Sequence, residues 1–265
     1  MTNSSPDQTP YTVRYVAFLD VLGFSAKVHR SAASPEVARQ LAESLDRIGD
    51  RWKDIVLKNT HTVMGDDFQA QSFSDCTVMS SAATRRGLEY FLLMVTQFCL
   101  DLMGRGSLVR GGIAKGLLYH TEKAVFDPAF LAAYDLEQRI ASVPRVVVDK
   151  ATHLDFEQQG PPEVYDQFIK PGLRHDYDGP VFVDVFAAHR ILQGHIPERI
   201  ALNAKEIRAT IQRELDDSIY DPGHYKKLQW LATYWNKVRQ MQSMPGLEPI
   251  ELPISREWKR LNNGS

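Results

Sequence analysis

The stretch YVAFLDVLGFS, from Tyr15 to Ser25, is an apolar run that meets an acid and then breaks at a glycine. The four residues from Val16 to Leu19 predict a buried strand, which Gly23 bounds on its far side. Asp20 stands at the exit of that strand. A carboxylate in this place is well positioned to hold a cation, and a simple cap on a turn is the alternative.

The loop that follows the acid has the composition of a phosphate-binding turn. Gly23 lets the backbone approach a ligand closely. If a helix begins there, Phe24 and Ser25 present backbone N–H groups to phosphate oxygens. The stretch therefore predicts a combined metal and phosphate site.

Length and composition exclude several classes of protein. The 265 residues can bury a full core, and the 31 basic and 33 acidic residues nearly balance, so the charge predicts neither a nucleic-acid partner nor a membrane partner. Cys76 and Cys99 are too few for a disulfide framework or a CxxC zinc site, and their apolar surroundings predict buried thiols. With a polar N-terminus and an interrupted apolar run from Tyr90 to Met103, the sequence predicts a cytoplasmic protein without a signal peptide or membrane span.

The predicted elements follow the order βαββαββαβ as far as Asp149. A flexible polar tail covers residues 1–12, and Pro35 opens a helix that is predicted to end near Lys53. A hairpin carries Asp75 at its tip. The other predicted elements are a helix from Ala83 to about Gly104, a strand from Ser107 to Tyr119, a short strand at Val125-Phe126, a helix from Pro128, and a strand from Arg145 to Val148.

This order predicts an α+β fold with a ferredoxin-like βαββαβ core over residues 13–150, with the helices on one face of the sheet. Residues 151–265 are predicted to form an extension packed on that core. Its elements are a strand over Pro180 to Phe186 and helices that begin at Pro197 and Pro222.

The last predicted helix leaves one alternative open for the extension. Trp230 and Tyr234 lie near the edge of its apolar face. Packing on the core is the default, and a role in dimer contacts is the alternative.

Asp20 and Asp75 are far apart in the sequence, but central antiparallel strands of such a sheet would bring both carboxylates within reach of one pair of metal ions. Two carboxylates that bridge two hard cations suit phosphoryl chemistry. One ion lowers the pKa of an attacking hydroxyl, and the other neutralises the leaving pyrophosphate. Two unrelated surface turn acids are the alternative.

Four motifs, in order, resemble class III nucleotidyl cyclases over roughly Val13 to Asp149. FLDVLGFS resembles the first metal motif of that family, and FSDC resembles its hairpin with the second metal aspartate. The run from Arg110 to Gly116 is similar to a family strand of the form RxGIxxG. AFLAAYDLEQR resembles the helix that ends in a transition-state arginine, here Arg139.

The resemblance implies a cofactor, two divalent ions, either Mn²⁺ or Mg²⁺. Asp20 and Asp75 would bind both ions, and the backbone carbonyl of Val21 would be a further ligand. The implied reaction is attack of the ribose 3′ hydroxyl on the α phosphorus of a nucleoside triphosphate, which gives a 3′,5′-cyclic nucleotide and pyrophosphate.

The resemblance also implies how the triphosphate is held. Gly23, Phe24 and Ser25 would cradle the β and γ phosphates. Arg139 would stabilise charge on the transferring phosphoryl group. Because the sites of this family lie across a head-to-tail homodimer, Arg139 would act on the metals of the partner chain.

Two positions depart from the family pattern. Four residues before the second metal acid, adenylate cyclases of this pattern carry Lys and guanylate cyclases carry Glu, whereas this chain has Gln71. It therefore lacks the charged purine-reading residue. Asp135 replaces the usual Asn four residues before the arginine, and we expect it to pair with Arg139 and hold it back from solvent.

The AYxLE sequence from Ala133 to Glu137, the later VFVDVF strand and the helical extension resemble the pyrimidine nucleotide cyclases of bacterial Pycsar anti-phage systems. That resemblance implies conversion of UTP to cyclic UMP as a signal for a separate effector protein. A cytidylate cyclase that makes cyclic CMP is one alternative. A catalytically silent, cyclase-like nucleotide sensor is the other.

Four further residues have two possible roles. Arg110 and Lys115 either contact the triphosphate or form ion pairs at a surface or dimer interface. Phe130 and Tyr134 either line a base pocket or belong to the core.

Overall fold

The computed structural model describes residues 10–39, 42, 67–121, 123–159, 170–186, 197–241 and 248–252. Within these ranges the chain is an α+β protein with one mixed, eight-stranded sheet, six α-helices and a further helical segment at residues 35–39. The strands are β1 (Thr12–Val21), β2 (Gln69–Phe73), β3 (Cys76–Ala82), β4 (Val109–His120), β5 (Val125–Phe126), β6 (Val146–Val148), β7 (Leu173–His175) and β8 (Val181–Val183). The helices are α1 (Phe24–Ser31), α2 (Arg85–Gly104), α3 (Pro128–Arg139), α4 (Lys150–Gln158), α5 (Pro197–Asp217) and α6 (Pro222–Met241).

Most of the predicted elements are confirmed, including the strand before Asp20 and the hairpin with Asp75 at its tip. The helix predicted from Pro35 does begin there, and residues 35–39 are helical. Its predicted continuation to Lys53 lies almost wholly outside the described residues. β1 begins at Thr12, inside the predicted tail.

The strand order of the sheet is β2-β3-β1-β4-β6-β8-β7, and β5 pairs with the end of β4. β1 lies between β3 and β4 and is antiparallel to both. β6 is parallel to β4, and β8 and β7 continue the sheet in antiparallel pairs. The strand that carries Asp20 is therefore central and has a hydrogen-bonded neighbour on each side.

Helices cover both faces of the sheet, so the prediction of helices on one face is wrong. The side chains of Tyr15, Ala17 and Leu19 point into a large core that includes α2. Val16 and Phe18 point to the other face, where they pack with residues of α3. The physical reason is the continuous apolar run of β1, because a strand with apolar side chains on both faces needs a cover on both.

Gly112 allows α3 to lie unusually close to β4. A Cβ atom at this position would be 2.2 Å from the carbonyl oxygen of Ala133 and 2.5 Å from the Cβ of Leu136. The glycine therefore sets the distance between the helix and the strand on the face that also carries Asp20.

We expect Gly112→Ala to lower the free energy of unfolding by about 3 kcal/mol, because backbone atoms of α3 have to move away from the added methyl group. Equilibrium unfolding in urea measures the change. Gly172→Ala is the matched control, since a Cβ there meets nothing within 4 Å, and it should change the stability by less than about 0.5 kcal/mol. Equal stabilities of the two variants would contradict the close approach.

The C-terminal extension completes the sheet and the larger core. β8 and β7 lie beyond β6, and the predicted strand over Pro180 to Phe186 is confirmed for Val181–Val183. The predicted inward residues of α5 and α6 are buried in the larger core, among them Ile207, Ile211, Leu228 and Leu231. The residues after 150 therefore share one sheet and one large core with those before them.

Trp230 and Tyr234 both make contacts inside the chain, and their alternative role in dimer contacts stays a prediction. Tyr234 is buried, and its ring packs against Phe182 and Phe186. Trp230 Nε1 donates a hydrogen bond to Asp176. Strand β8 and the residues on either side of it supply these partners beside α6.

A buried polar network lies at the opposite end of β1 from Asp20. Arg14 Nε donates a hydrogen bond to Ser80 Oγ at 2.9 Å, and Ser80 Oγ lies 2.8 Å from Nδ1 of His120. Arg14 also forms an ion pair with Asp67. The network ties β1, β3 and β4 together on the face covered by α3. Burial, together with the nearby charge of Arg14, lowers the pKa of His120 to about 4, although Asp67 opposes the shift.

We expect this histidine to make the protein less stable as the pH falls from about 6.5 to about 4. In that window the unfolded chain binds a proton at His120 and the folded chain does not. The free energy of unfolding therefore falls as the pH decreases. The total loss is about 3 kcal/mol. His120→Gln should remove this part of the pH dependence in urea unfolding curves. Parallel pH profiles for the two proteins would contradict the assignment.

One described helix, α2, is long and apolar enough to cross a membrane by length and composition. Most of that helix is buried inside the protein. Its apolar residues pack against the odd-numbered side chains of β1. This is the behaviour of a core helix, consistent with a soluble protein.

Candidate metal and nucleotide site

The end of β1 and the β2–β3 turn meet on the face of the sheet that α3 covers. Asp20 pairs in register with Cys76, the first residue of β3. The backbone N–H of Val21 donates a hydrogen bond to the carbonyl oxygen of Asp75 at 3.1 Å. As a result, the ligand atoms of Asp20, Asp75 and Cys76 all lie within 4.8 Å of one another. The structure thus brings together the two acids that the sequence singled out.

The turn itself has an unusual backbone conformation that presents Asp75. Ser74 has a φ of 55°, in the left-handed region that non-glycine residues seldom adopt. The conformation closes a tight two-residue connection between Phe73 and Cys76, which are paired in register. A tight connection holds Asp75 beside the end of β1.

Burial and charge act on the Asp20 carboxyl in opposite directions. Burial raises the pKa of Asp20, and the negative charge of Asp75 raises it further, whereas a hydrogen bond and the positive charge of Arg110 lower it. Two neighbouring carboxylates repel each other unless a cation lies close by. The arrangement therefore favours binding of a cation near both acids.

Arg110 is the cation that the chain itself places there. Its Nε lies 3.1 Å from Oδ2 of Asp20 and 2.6 Å from Oε1 of Glu137. Of the two roles expected for Arg110, the structure shows an ion pair, and that pair lies within the chain and inside the candidate site.

Glu137 is the residue that reasoning from the sequence missed. Its side chain is 0% exposed, and burial raises its pKa, whereas Arg110 lowers it. The spacing of residues along α3 nevertheless indicated that Glu137 is buried. Ala129, Ala133 and Glu137 recur every four residues on the buried stripe. A glutamate on such a stripe needs a basic partner on the strand beneath it.

The surroundings of Cys76 differ from those predicted. Cys99 is a buried apolar thiol as expected, but Cys76 Sγ lies 3.8 Å from Oδ1 of Asp20 and 3.8 Å from Oδ1 of Asp75. Burial and the neighbouring acids raise the pKa of Cys76 to about 12. The thiol is therefore neutral near pH 7, which makes it a poor ligand for a hard cation.

The predicted phosphate turn follows directly after the acid. Gly23 has a φ of 75° and open space where a Cβ would be, and Leu22 N–H is bonded to the carbonyl oxygen of Leu108 at 2.8 Å. α1 begins at Phe24, whose side chain packs partly against the larger core. Ser25 lies in the first turn of α1, and its side chain is outside the described part of the structure. The expected helix start is therefore present.

Gln71 lies on the same face of the sheet as the acids. It pairs in register with Val78, which pairs in turn with Phe18. Its Oε1 atom is buried without a hydrogen-bond partner.

Phe18 makes edge-on contacts with Phe130 and with Tyr134, at centroid distances of 5.8 and 5.2 Å. Phe130 is partly buried in this smaller core, and Tyr134 remains 39% exposed.

Two predicted cations lie away from the acids. Lys115 pairs with Asp155 and lies over the ring of Tyr15, which belongs to the opposite face of the sheet. Arg139 is on the last turn of α3, 75% exposed, and 3.5 Å from Asp135. The expected pair of Asp135 with Arg139 is confirmed, but it does not hold the arginine back from solvent.

The donor atoms at this site suit one class of cation. Mg²⁺ and Mn²⁺ prefer oxygen ligands and are usually held by one or two carboxylates, with water and phosphate oxygens completing the shell. Asp20 and Asp75 supply such carboxylates, and the neutral thiol of Cys76 does not compete with them. No protein-family model and no curated protein matches this chain.

Proposed function

We propose that this chain is a pyrimidine nucleotide cyclase that converts UTP to 3′,5′-cyclic UMP and pyrophosphate. One observation carries the proposal. The carboxylates of Asp20 and Asp75 meet at the exit of the central strand, directly before a glycine turn and the start of α1. Metal-binding acids beside a phosphate-binding turn are the combination that phosphoryl transfer requires.

Asp20 and Asp75 would hold two divalent cations, Mn²⁺ or Mg²⁺, with the carbonyl of Val21 as a further ligand. When bound, the cations would lower the pKa of the ribose 3′ hydroxyl and neutralise charge on the leaving pyrophosphate. The backbone N–H groups at Gly23, Phe24 and Ser25 would bind the β and γ phosphates. The chain thus supplies alignment and charge rather than a strong side-chain base.

The topology supports a ferredoxin-like cyclase core. The antiparallel strand order β2-β3-β1-β4 is the arrangement in which a βαββαβ unit places its first and third strands side by side at the centre of the sheet. In this chain those central strands are β1 and β3. β1 carries Asp20, and β3 begins directly after Asp75. The core would cover residues 13–150, with 151–265 as its extension.

A homodimer would complete the site. Arg139 is exposed at the end of α3, where it forms a surface ion pair with Asp135 at 3.5 Å. An exposed arginine at a helix end is able to reach a second copy of the chain. We infer that Arg139 of the partner subunit stabilises the charge on the transferring phosphoryl group.

Gln71 is the residue proposed to contact the base. Its carbonyl oxygen is buried without a partner, and a neutral amide fits the hydrogen-bonding edge of uracil or cytosine better than a charged purine-reading residue does. The edge of Tyr134, exposed above Phe18, would line the same pocket.

The proposed role is antiviral signalling in the cytoplasm of a bacterium. Cyclic UMP would act as a second messenger for a separate effector protein, and the chain itself would bind neither nucleic acid nor a membrane. The near balance of 31 basic and 33 acidic residues supports that last point.

The test is to incubate the purified protein with ATP, GTP, CTP or UTP and Mn²⁺, and to resolve the products by mass. We expect cyclic UMP and pyrophosphate from UTP. If cyclic CMP were the main product, the substrate would be CTP instead of UTP, and the protein would still be a pyrimidine nucleotide cyclase. No cyclic product from any of the four would overturn the proposal and favour a silent nucleotide sensor.

A further inference from the structure

The two oxygens of the Asp20 carboxylate face different neighbours. Oδ1 is the oxygen near Cys76, whose thiol is equally close to Oδ1 of Asp75. Oδ2 accepts a hydrogen bond from Nε of Arg110. One oxygen of Asp20 thus shares the Cys76 thiol as a neighbour with Asp75, and the other is held by the arginine.

Arg110 is in turn held by a residue that cannot move freely. Glu137 is fully buried on the inner stripe of α3, and its Oε1 forms an ion pair at 2.6 Å with the same Nε atom, whose one hydrogen is donated to Asp20. Gly112, two residues along the strand, brings α3 against β4 at this level, because its missing Cβ leaves room for the Ala133 carbonyl and for the backbone N of Glu137. The position of Glu137 is therefore fixed by backbone packing.

We propose that Glu137 is a positioning residue that acts through Arg110 to orient Asp20, so that its Oδ1 points at Asp75 and is ready to bind a divalent cation. The inference rests on the proposed metal site. Glu137 touches neither metal nor nucleotide. It balances the charge of the arginine, and the arginine restrains the rotation of the Asp20 carboxylate about χ2.

The charge balance explains why both partners are needed. A lone guanidinium beside Asp20 would cancel the negative charge that attracts the metal, and a lone buried glutamate would be costly in the core. As a pair they add no net charge. They leave the attraction of Asp20 and Asp75 for a cation undiminished, and they fix the geometry. Partners of this kind typically change metal affinity by about 10- to 100-fold when they are removed.

The experiment measures Mn²⁺ binding by electron paramagnetic resonance of the free ion, without nucleotide. The proteins are the wild type, Arg110→Met, Glu137→Gln and the double variant. We expect each single variant to bind Mn²⁺ about tenfold more weakly than the wild type. The double variant should bind Mn²⁺ no more weakly than Arg110→Met alone, because Glu137 acts only through the arginine.

The combination of variants separates this role from a structural one. If Glu137 acted by its own charge on the metal, Glu137→Gln would weaken Mn²⁺ binding by the same factor in both backgrounds, and that result would overturn the inference. Tighter Mn²⁺ binding by Arg110→Met would also overturn it, since the arginine would then be a competitor of the metal. So would a wild type that binds no Mn²⁺. The double variant removes both charges together, so it remains informative if a single variant fails to fold.

Lys115→Met and Asp155→Asn are the matched controls, because this ion pair starts from the same strand and lies on the opposite face of the sheet. Both should bind Mn²⁺ like the wild type. The binding assay needs no turnover, so its outcome is separate from that of the product assay. A wild type that forms no cyclic nucleotide but shows the expected Mn²⁺ pattern would overturn the proposed function and support this inference.

Discussion

Asp75→Asn is expected to reduce the proposed cyclic nucleotide formation by about a thousandfold, because the amide cannot supply the negative charge that would hold two divalent cations beside Asp20. The substitution keeps the size of the side chain. It also leaves the ion pair of Asp20 with Arg110 intact, so the fold should keep its thermal stability. Product formation is measured by mass spectrometry, and Mn²⁺ binding is measured in parallel.

Asp178→Asn is the control for this substitution. Asp178 is also an aspartate in a tight turn between antiparallel strands, β7 and β8, and it pairs with Arg145 rather than with the site acids. We expect its activity to match the wild type. If Asp75→Asn retained activity and Mn²⁺ affinity, the two-acid site would be wrong, however well the acids converge.

The second large effect is a restoration of activity across the dimer interface. Asp75→Asn and Arg139→Ala are each expected to be inactive as homodimers. In the proposed dimer, a heterodimer of the two would have one intact site, built from the acids of one chain and Arg139 of the partner subunit. It should therefore recover about half of the wild-type activity per dimer, since one of two equivalent sites is complete.

Two affinity tags, one on each variant, allow the heterodimer to be purified away from both homodimers before the assay. Asp135→Asn is a useful companion, because it removes the 3.5 Å contact with Arg139 and keeps the arginine. We expect it to remain active. A purified heterodimer without activity would show that Arg139 does not act on the other chain.

Much of the site was predictable because it depends on local sequence. Asp20 follows an apolar strand and precedes a glycine, and Asp75 lies at the tip of a hairpin with alternating residues. These patterns act over a few residues, and the structure places both acids where the patterns indicate. The Asp135–Arg139 pair was predictable for the same reason, since residues four apart on a helix are neighbours.

Glu137 and Arg110 were harder to connect, because their contact depends on how close α3 comes to β4. That distance is set by Gly112 and the small side chains that face it. The spacing of α3 places Glu137 on the buried stripe, but it does not identify Arg110 as the partner of this glutamate. Helix-to-strand packing is a property of two surfaces and not of either segment.

The sequence by itself determined the central strand, the hairpin, the turn at Gly23 and the starts of most helices, because hydrophobic periodicity and turn residues act locally. Only the tertiary structure decided that helices cover both faces of the sheet, that β7 and β8 extend it, and that Trp230 and Tyr234 pack inside the chain. It also gave Asp20 two neighbours from distant parts of the chain, Asp75 beside its carboxylate and Arg110 at its Oδ2. These outcomes depend on which surfaces meet, and contacts between distant segments carry no periodic signal in the chain.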